Sequence, residues 1–149
     1  RGVGYDVAEL ISQITGILGV NRPNKLAIVG AGHLGQALAR YEGFYEYGFL
    51  LAAIFDSDPR KIGTEVAGQQ VLPADYIPEV VKSLGVQIGV IAVPAPAAQQ
   101  VATQLVRAGI RAIWNFAPTR IDTPAGVEVR QENLIVGLLA LSYHLTQHK

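Results

Sequence analysis

Apolar residues occur in short runs of strand length that alternate with longer stretches of helical spacing. The short runs predict strands at 25–29, 49–55, 70–72, 86–93, 111–115 and 126–130. The stretches of helical spacing predict helices at 34–40, 77–84 and 95–108. Strands that alternate with helices predict an α/β domain with a doubly wound, mainly parallel sheet.

Two more helices are predicted outside this alternation. The first, over 6–18, opens with a capping box and has the apolar residues Val7, Leu10, Ile11, Ile14, Ile17 and Leu18. The second, over 132–145, is apolar on almost every side, which is typical of a helix buried all round. The crossover helices are expected to cover both faces of the sheet. The two extra helices therefore either form one thick core layer or, as we favour, pair with a second subunit.

The composition is that of a folded domain with extensive buried contact. The 149 residues are 50% hydrophobic and only 16% charged, which excludes intrinsic disorder. Lys and Arg number 12, and Asp and Glu also number 12. The chain itself thus lacks the basic surface with which a protein grips nucleic acid.

Single residue types restrict the chemistry and the location. Without cysteine the chain has no disulfide, thiolate ligand or thiol nucleophile, and His33, His144 and His148 are too scattered to indicate a metal site. No apolar run is long enough to span a bilayer and no secretory leader opens the chain, so we expect a cytoplasmic protein without a membrane partner. Because the chain begins at Arg1 and contains no methionine, we expect a fragment or a processed chain.

A G-x-G-x-x-G motif lies between the first predicted strand and the helix that follows it. It consists of Gly30, Ala31, Gly32, His33, Leu34 and Gly35. In a Rossmann-type fold the first glycine allows a tight turn, the second lets the backbone approach a pyrophosphate, and the third lets helix and strand pack closely. Free N–H groups at the helix N-terminus bind the phosphates. The motif predicts a dinucleotide site, unless the glycines only turn the chain; His33 either contacts a phosphate or faces solvent.

Asp56 ends the second predicted strand, about 20 residues beyond the glycine motif, where a carboxylate binds the ribose 2′-hydroxyl. A carboxylate there repels a 2′-phosphate, and Asp58 adds to the repulsion, so NAD is favoured over NADP. The cations Arg60 and Lys61 oppose this preference. Ser57 and Lys61 belong to the same predicted cofactor segment. The alternative is that Asp56 only caps the following turn.

Ligands of open α/β sheets bind at the carboxyl ends of the strands. Two short segments follow such ends here: Val93, Pro94 and Ala95, and then Asn115, Phe116, Ala117 and Pro118. The first is small and apolar and the second offers an amide and an aromatic face, so a nicotinamide would find an uncharged pocket. Either segment is also compatible with an ordinary strand-ending turn. Because no histidine or pair of carboxylates follows these strands, we expect binding without turnover and no catalytic residue.

Five segments together resemble the Rex redox-sensing transcriptional repressors. They are Arg1 to Val7 (RGVGYDV), the glycine motif, Phe55 to Pro59 (FDSDP), Val93 to Ala95 (VPA) and Asn115 to Pro118 (NFAP). The resemblance covers essentially the entire chain. The glycine motif alone is generic, whereas its combination with RGVGYDV and NFAP is specific.

The resemblance implies a Rossmann-type domain that senses the ratio of NADH to NAD+, in a homodimer that releases operator DNA when NADH binds. It implies that a winged-helix domain, absent from this chain, binds the DNA, and that the 132–145 helix is exchanged between subunits. Tyr41 matches a family tyrosine near the nicotinamide. Many members have aspartate where this chain has Asn133, which places a switch through that charge in doubt.

On this interpretation the chain has three parts. Residues 1–20 are a linker and helix that follow the missing DNA-binding domain, 21–130 form the NAD(H)-binding domain, and 131–149 form the exchanged dimerisation helix. The main alternative is a nucleotide-binding domain, for NAD or coenzyme A, split from a larger enzyme. A third interpretation is a structural dimerisation module whose glycine loop stays empty.

Overall fold

The fold was determined as a computed structural model, which describes residues 24–147. The strands are β1 (Asn24–Val29), β2 (Phe49–Asp56), β3 (Glu65–Val66), β4 (Gln69–Gln70), β5 (Leu72–Pro73), β6 (Ile88–Ile91), β7 (Ala112–Asn115) and β8 (Glu128–Gln131). The helices are α1 (His33–Arg40), α2 (Gly43–Glu46), α3 (Ile77–Leu84), α4 (Ala95–Arg107) and α5 (Leu134–Gln147), with a 3-10 turn at Ala74–Tyr76.

Six strands form one parallel sheet in the order β5-β2-β1-β6-β7-β8. β3 and β4 form a separate antiparallel hairpin. From β1 the chain moves outwards through β2 to β5, and from β6 it moves outwards in the opposite direction. This reversal leaves a crevice at the carboxyl ends of β1 and β6. The predicted fold class, a doubly wound parallel sheet, is confirmed.

One face of the sheet packs against α3 and α4, and we call it the covered face. Ile77 and Val81 of α3 and Ala98 and Leu105 of α4 are buried in its apolar cluster. Ile121, from the loop between β7 and β8, is buried in the same cluster. This layer forms the larger of the two apolar cores.

The opposite face is covered over β1 and β2. Leu38 of α1 and Val66 of the β3–β4 hairpin belong to the same apolar cluster as the buried Ile28 and Ile54. The connection between β7 and β8, residues 116–127, contains no helix. The expectation that crossover helices cover both faces is therefore wrong, because the last crossover is a loop.

We call the remaining part of this face the open face. It consists of Leu26, Ile88, Ala112, Trp114, Glu128 and Arg130, which lie on β1, β6, β7 and β8. Together with Phe44 and Phe49 these residues line a cavity of about 370 Å³. Trp114 and its apolar neighbours on β6 and β7 are only half-buried.

Helix α5 is exposed on every side. Its eight large apolar side chains are between 52% and 69% exposed: Leu134, Ile135, Val136, Leu138, Leu139, Leu141, Tyr143 and Leu145. The helix therefore forms no core layer with the described part of the chain. None of the helices within residues 24–147 is both long and apolar enough to cross a membrane.

Most predicted elements are present with shifted ends. The strand predicted over 70–72 is divided, because Val71 exchanges backbone hydrogen bonds with Gly63 and Thr64 between β4 and β5. The strand predicted over 86–93 is shortened to Ile88–Ile91. The last helix begins at Leu134, since the Asn133 side chain accepts a hydrogen bond from the Ile135 N–H at 3.3 Å. The helix predicted over 6–18 lies outside the described residues.

Helix α1 approaches β1 closely where the chain leaves the glycine loop. A Cβ atom added to Gly35 would overlap the carbonyl oxygen of Gly30. Gly30 has a φ of +115°, and a Cβ atom there would overlap the carbonyl oxygen of Ala92. At Gly32, in contrast, an added Cβ atom would meet nothing within 4 Å. The first and third glycines are thus required for packing, and the second is not.

Replacing Gly35 by alanine should lower the free energy of unfolding by about 3 kcal/mol, because the clash is with backbone and not with a side chain that can turn away. Gly32→Ala is the matched control and should cost at most about 1 kcal/mol, the loss expected at a helix N-cap. Urea denaturation followed by circular dichroism measures both. Equal stability of the two variants would contradict the close approach of α1 and β1.

Candidate functional site

A cavity of about 540 Å³ lies at the carboxyl edge of the sheet, in the crevice between β1 and β6. It is lined by Gly30, Gly32, His33, Leu34, Asp56, Ser57, Asp58, Lys61, Ala92, Val93, Pro94, Ala97, Phe116 and Pro118. Its position is that of ligand sites in doubly wound sheets, and its volume is usual for small-molecule sites. All of these residues except Ala92 and Ala97 are predicted from the sequence.

The N-terminus of α1 points into this cavity. Gly32 is the N-cap residue, no side chain caps the helix, and its first turn contains no acidic residue. The space in front of Gly32 is open, since no atom lies within 4 Å of the position that a Cβ atom would take. Free N–H groups, the positive end of the helix dipole and open space fit a pyrophosphate. His33 is exposed beside this position.

Asp56 fixes both the glycine loop and the turn that follows β2. Its Oδ2 accepts a hydrogen bond from the Ala31 N–H at 2.7 Å, and its Oδ1 accepts one from the Asp58 N–H at 2.8 Å. The carboxylate therefore does cap the following turn, and it also orients the loop. Each carboxylate oxygen can accept a second hydrogen bond, so Asp56 keeps acceptor sites for hydroxyl groups.

Asp58 forms an ion pair with Arg60. The Arg60 backbone N–H donates to Asp58 Oδ1 at 2.9 Å, and Arg60 Nη2 donates to Oδ2 at 3.1 Å. The hydrogen bonds from the Arg60 side chain and backbone hold the pKa of Asp58 below its usual value. Arg60 thus offsets the negative charge of Asp58, which was expected to repel a 2′-phosphate. Asp56 is therefore the carboxylate with the greater effect on that repulsion. Lys61 also lines the cavity.

Phe116 forms part of the far wall of the cavity, and Asn115 fixes the segment that carries it. Asn115 is fully buried; its Nδ2 donates to the Thr119 carbonyl oxygen at 3.0 Å and to Gln131 Oε1 at 2.8 Å. Its Oδ1 accepts from the Ala117 N–H at 3.0 Å, and Gln131 Nε2 donates to the Ala117 carbonyl oxygen at 2.9 Å. Both amide hydrogens of Asn115 are used inside the protein. Its side chain positions the wall and does not present these donors to a ligand.

Six predicted site residues lie outside the lining of the cavity: Ala31, Gly35, Tyr41, Ala95, Asn115 and Ala117. Ala31, Gly35 and Ala117 are buried, and they support the lining through backbone hydrogen bonds and close packing. Ala95 is the first residue of α4, directly after the lining residue Pro94. These residues shape the cavity from behind.

Tyr41 lies away from the cavity, at the far end of α1. It is 59% exposed and lines a separate cavity of about 430 Å³. It begins a row of four aromatic rings: the centroids are 4.8 Å apart for Tyr41 and Phe44, 6.1 Å for Phe44 and Trp114, and 4.6 Å for Trp114 and Phe116. The row ends in the wall of the cavity at the carboxyl edge. Contact between Tyr41 and a nicotinamide stays a prediction.

Sequence reasoning missed three residues of the site. Ala92 follows β6, where its carbonyl group lies against Gly30, and Ala97 faces the cavity from the first turn of α4. The spacing of Ala97 from Pro94 on the predicted helix could have identified it. Gln131 reaches Asn115 only because β8 pairs with β7 in parallel register, for which the local sequence contains no signal.

Comparisons with known proteins give two family matches. The family described as the CoA binding domain matches residues 21–119. The redox-sensing transcriptional repressors Rex of Desulfitobacterium hafniense and Carboxydothermus hydrogenoformans are each 48% identical over 145 residues, 97% of this chain. The match covers 69% of the first relative and 70% of the second.

Solved structures of Rex-family repressors are also similar to this chain. The crystal structure of RSP, a Rex-family repressor, is similar with a TM-score of 0.85 and 38% identity, over 99% of this chain and 70% of that one. RSP in complex with β-NAD+ and operator DNA gives a TM-score of 0.86 at 38% identity, over 99% of this chain and 68% of that one. UDP-D-quinovosamine 4-dehydrogenase from Vibrio fischeri, at 20% identity and a TM-score of 0.52, shares the fold alone; the match covers 80% of this chain and 86% of that one.

The resemblance found in the five sequence segments is confirmed by relatives that are named repressors and not enzymes. The parallel sheet with its helices matches the crystal structure of a Rex-family repressor. With nearly half of its residues identical to curated members over almost its whole length, this chain belongs to the Rex family of redox-sensing transcriptional repressors.

Proposed function

We propose that this chain is the NAD(H)-sensing domain of a repressor that responds to the ratio of NADH to NAD+ and releases operator DNA when NADH binds. The observation that carries the proposal is the cavity at the carboxyl edge. The uncapped N-terminus of α1 lies at its centre, Asp56 on the β2 side, and the apolar wall on the β7 side. From Asp56 through the N-terminus of α1 to the apolar wall, these features follow the order of adenosine ribose, pyrophosphate and nicotinamide in NAD(H).

Relatives support both the ligand and the regulatory role. The RSP repressor has been crystallised in complex with β-NADH, at a TM-score of 0.85 to this chain, and in complex with β-NAD+ and operator DNA. These are the two redox forms of one dinucleotide. A protein of this family that distinguishes them can report the redox state to a promoter.

We assign the parts of the chain as follows. Residues 21–130 bind NAD(H), residues 131–149 form the exchanged dimerisation helix, and residues 1–20 connect to a winged-helix domain that contacts DNA. The balance of 12 basic and 12 acidic residues supports a DNA contact made outside this chain. We place the protein in the cytoplasm with its operator, and without a membrane partner.

Binding of NAD(H) would use backbone groups more than side chains. The N–H groups at the start of α1 would hold the pyrophosphate, and the open space at Gly32 would admit it. Asp56 would accept hydrogen bonds from the adenosine ribose while it keeps its bonds to Ala31 and Asp58. His33, Ser57 and the other lining residues would complete the contacts.

Discrimination between the redox forms would depend on the far wall. NAD+ has a positive charge on its nicotinamide, which NADH lacks. Val93, Pro94, Phe116 and Pro118 are uncharged, so a positive ring placed against them loses hydration that they do not replace. A neutral ring incurs no such penalty. Asn133, at the start of α5, has no carboxylate with which to compensate the charge.

The same wall is connected to the dimerisation helix. Asn115 and Gln131 join the segment of Phe116 to the end of β8, and α5 begins at Leu134. A ligand that moves this segment therefore acts on the base of α5 through two side chains. Because a ligand shifts an equilibrium only by its difference in affinity for the two states, the wall has to distinguish NADH from NAD+ for the sensor to work.

Coenzyme A is the second candidate ligand, because the CoA binding domain family also matches residues 21–119. Coenzyme A shares an adenosine and a pyrophosphate with NAD(H), so the N-terminus of α1 suits both ligands. Unlike NAD(H), it has a phosphate on its adenosine ribose, which Asp56 would repel.

We expect NADH to bind more tightly than NADPH, because Asp56 accepts hydrogen bonds from a ribose and repels a 2′-phosphate. Asp56→Ala should weaken the binding of NADH. It should also narrow the difference in affinity between NADH and NADPH by about tenfold, or about 1.4 kcal/mol. Isothermal titration calorimetry measures both affinities, with coenzyme A as a third ligand. Asp75→Ala, at an exposed position outside the cavity lining, is the control. NADPH binding as tight as NADH binding would refute the assignment of Asp56.

We expect the chain to bind NADH at least about tenfold more tightly than NAD+, which requires a desolvation difference of only about 1.4 kcal/mol. Competitive displacement of NADH fluorescence by NAD+ measures the ratio. Equal affinities would exclude redox sensing by this domain and make the enzyme fragment the first interpretation. Binding of coenzyme A in place of both dinucleotides would have the same consequence.

We expect the chain to be a homodimer at micromolar concentration, because α5 leaves eight large apolar side chains exposed on all sides. Analytical ultracentrifugation should show a dimer that Leu139→Asp dissociates. Thr146→Asp, near the C-terminal end of the same helix, is the polar-to-charged control. A well-folded wild-type monomer would show that α5 needs no second subunit.

A further inference from the structure

We propose that the Asp58–Arg60 ion pair keeps the cavity specific for nucleotides without a phosphate on the adenosine ribose, because Asp58 holds a guanidinium group that would otherwise bind that phosphate. This role rests on the proposed function, since it requires an adenosine ribose at the β2 side of the cavity. Arg60 is then a second residue, besides Asp56, that determines specificity, although it is not part of the cavity lining. The ligands that it concerns are nucleotides with a phosphorylated ribose.

Asp58 occupies the edge of Arg60 with which an arginine binds a phosphate. Arg60 Nε donates to Asp58 Oδ1 at 3.2 Å, and Arg60 Nη2 donates to Oδ2 at 3.1 Å. Two N–H groups on one planar edge match a phosphate as well as they match a carboxylate. While the ion pair is formed, this edge of the guanidinium group is not offered to a ligand.

The ion pair stands at the end of the cavity that we assign to the adenosine ribose. Asp58 lines the cavity together with Asp56, whose Oδ1 accepts the Asp58 N–H at 2.8 Å. The guanidinium group of Arg60 is one hydrogen bond away from Asp58 and therefore lies next to the lining. A rotation of the Arg60 side chain would bring it to a phosphate on this side.

Hydrogen bonds to Asp58, and not packing, hold the Arg60 side chain. It is 90% exposed, whereas the side chain of Asp58 is 27% exposed. The backbone of Asp58 is fixed separately, because its carbonyl oxygen accepts the N–H groups of Lys61 at 2.9 Å and Ile62 at 3.1 Å. Asp58 therefore keeps its place when the ion pair breaks, while Arg60 becomes able to bind another anion. Since exposed ion pairs contribute little to stability, the effect should appear in the choice of ligand.

Lys61 is the alternative cation for a ribose phosphate, because it lines the cavity itself. The hydrogen bonds from Arg60 lower the pKa of Asp58 the most, and the nearby charge of Lys61 adds a smaller effect in the same direction. Removing the charge of Asp58 should therefore release Arg60 more than Lys61. Variants of the two cations distinguish these alternatives.

Asp58→Asn tests the proposal, because asparagine keeps an oxygen for the Arg60 backbone N–H and loses the charge that holds the guanidinium group. The ratio of NADPH affinity to NADH affinity should rise about fivefold, the upper range for an exposed charge pair. Asp75→Asn, at an exposed position outside the cavity lining, is the matched control and should leave the ratio unchanged. Isothermal titration calorimetry at low ionic strength, where screening is weakest, measures both affinities.

Two double variants show whether Arg60 causes the rise. Asp58→Asn with Arg60→Gln has no net charge at the two positions, like the wild type, and its ratio should return close to the wild-type value. Asp58→Asn with Arg60→Lys keeps the positive charge but lacks the edge with two donors, so it should retain only part of the rise. A full rise with lysine would show a general charge effect and would overturn the proposal.

Smaller ligands repeat the comparison without a nicotinamide. Adenosine 2′,5′-bisphosphate differs from 5′-AMP only in the phosphate that NADPH has, and adenosine 3′,5′-bisphosphate has its extra phosphate where coenzyme A has one. Asp58→Asn should strengthen the binding of at least one bisphosphate relative to 5′-AMP. A gain for the 2′ compound indicates selection against NADP(H), and a gain for the 3′ compound indicates selection against coenzyme A; either supports the proposal.

Three results would overturn the proposal and leave the proposed function intact, provided that the wild type binds NADH. They are an unchanged ratio in Asp58→Asn, a rise that survives Arg60→Gln, and a rise that Lys61→Gln removes while Arg60→Gln does not. If the wild type binds neither NADH nor NAD+, the proposed function fails, and the role of the ion pair fails with it.

Discussion

The close packing of three backbone segments is the constraint on which the rest of the structure depends. Gly30, Gly35 and Ala92 meet where β1, α1 and β6 converge, and no side chain fits between them. This contact fixes the axis of α1, so that its N-terminus points into the crevice of the sheet. Asp56 then orients the loop by accepting the Ala31 N–H. Helix N–H groups can bind an anion effectively only if they are held in place before the ligand arrives, and this packing holds the N–H groups of α1.

Side chains of the site mostly position other groups. Asp56 is bonded to the glycine loop and the next turn, Asp58 to Arg60, and Asn115 to the segment of the far wall. The part of the cavity suited to a nicotinamide therefore offers little specific hydrogen bonding and is mainly apolar. An environment of this kind discriminates ligands by charge, and charge is what differs between the two redox forms of a nicotinamide.

The parts of the fold that follow from local sequence were predictable. Helix α3, Ile77–Leu84, agrees with its prediction residue for residue, and the glycine motif located the cavity, because periodicity and glycine geometry act over a few neighbouring positions. The parts of the fold that depend on pairing between distant segments could not be predicted. The role of Gln131 requires the register of β8 on β7, and the open face exists because the final crossover is a loop. The exclusion of Tyr41 from the cavity depends on where α1 ends, about two turns from the N-terminus that points into the cavity.

The open face and the cavity at the carboxyl edge are connected by a row of aromatic rings. Trp114 on the open face contacts Phe116 in the cavity wall, and Phe44 contacts Trp114 from the other side. Tyr41 completes this row at the surface. Any segment that packs on Trp114 therefore restricts the ring on which Phe116 rests. The position of Phe116 in the apolar wall therefore depends on how Trp114 and Phe44 are packed behind it.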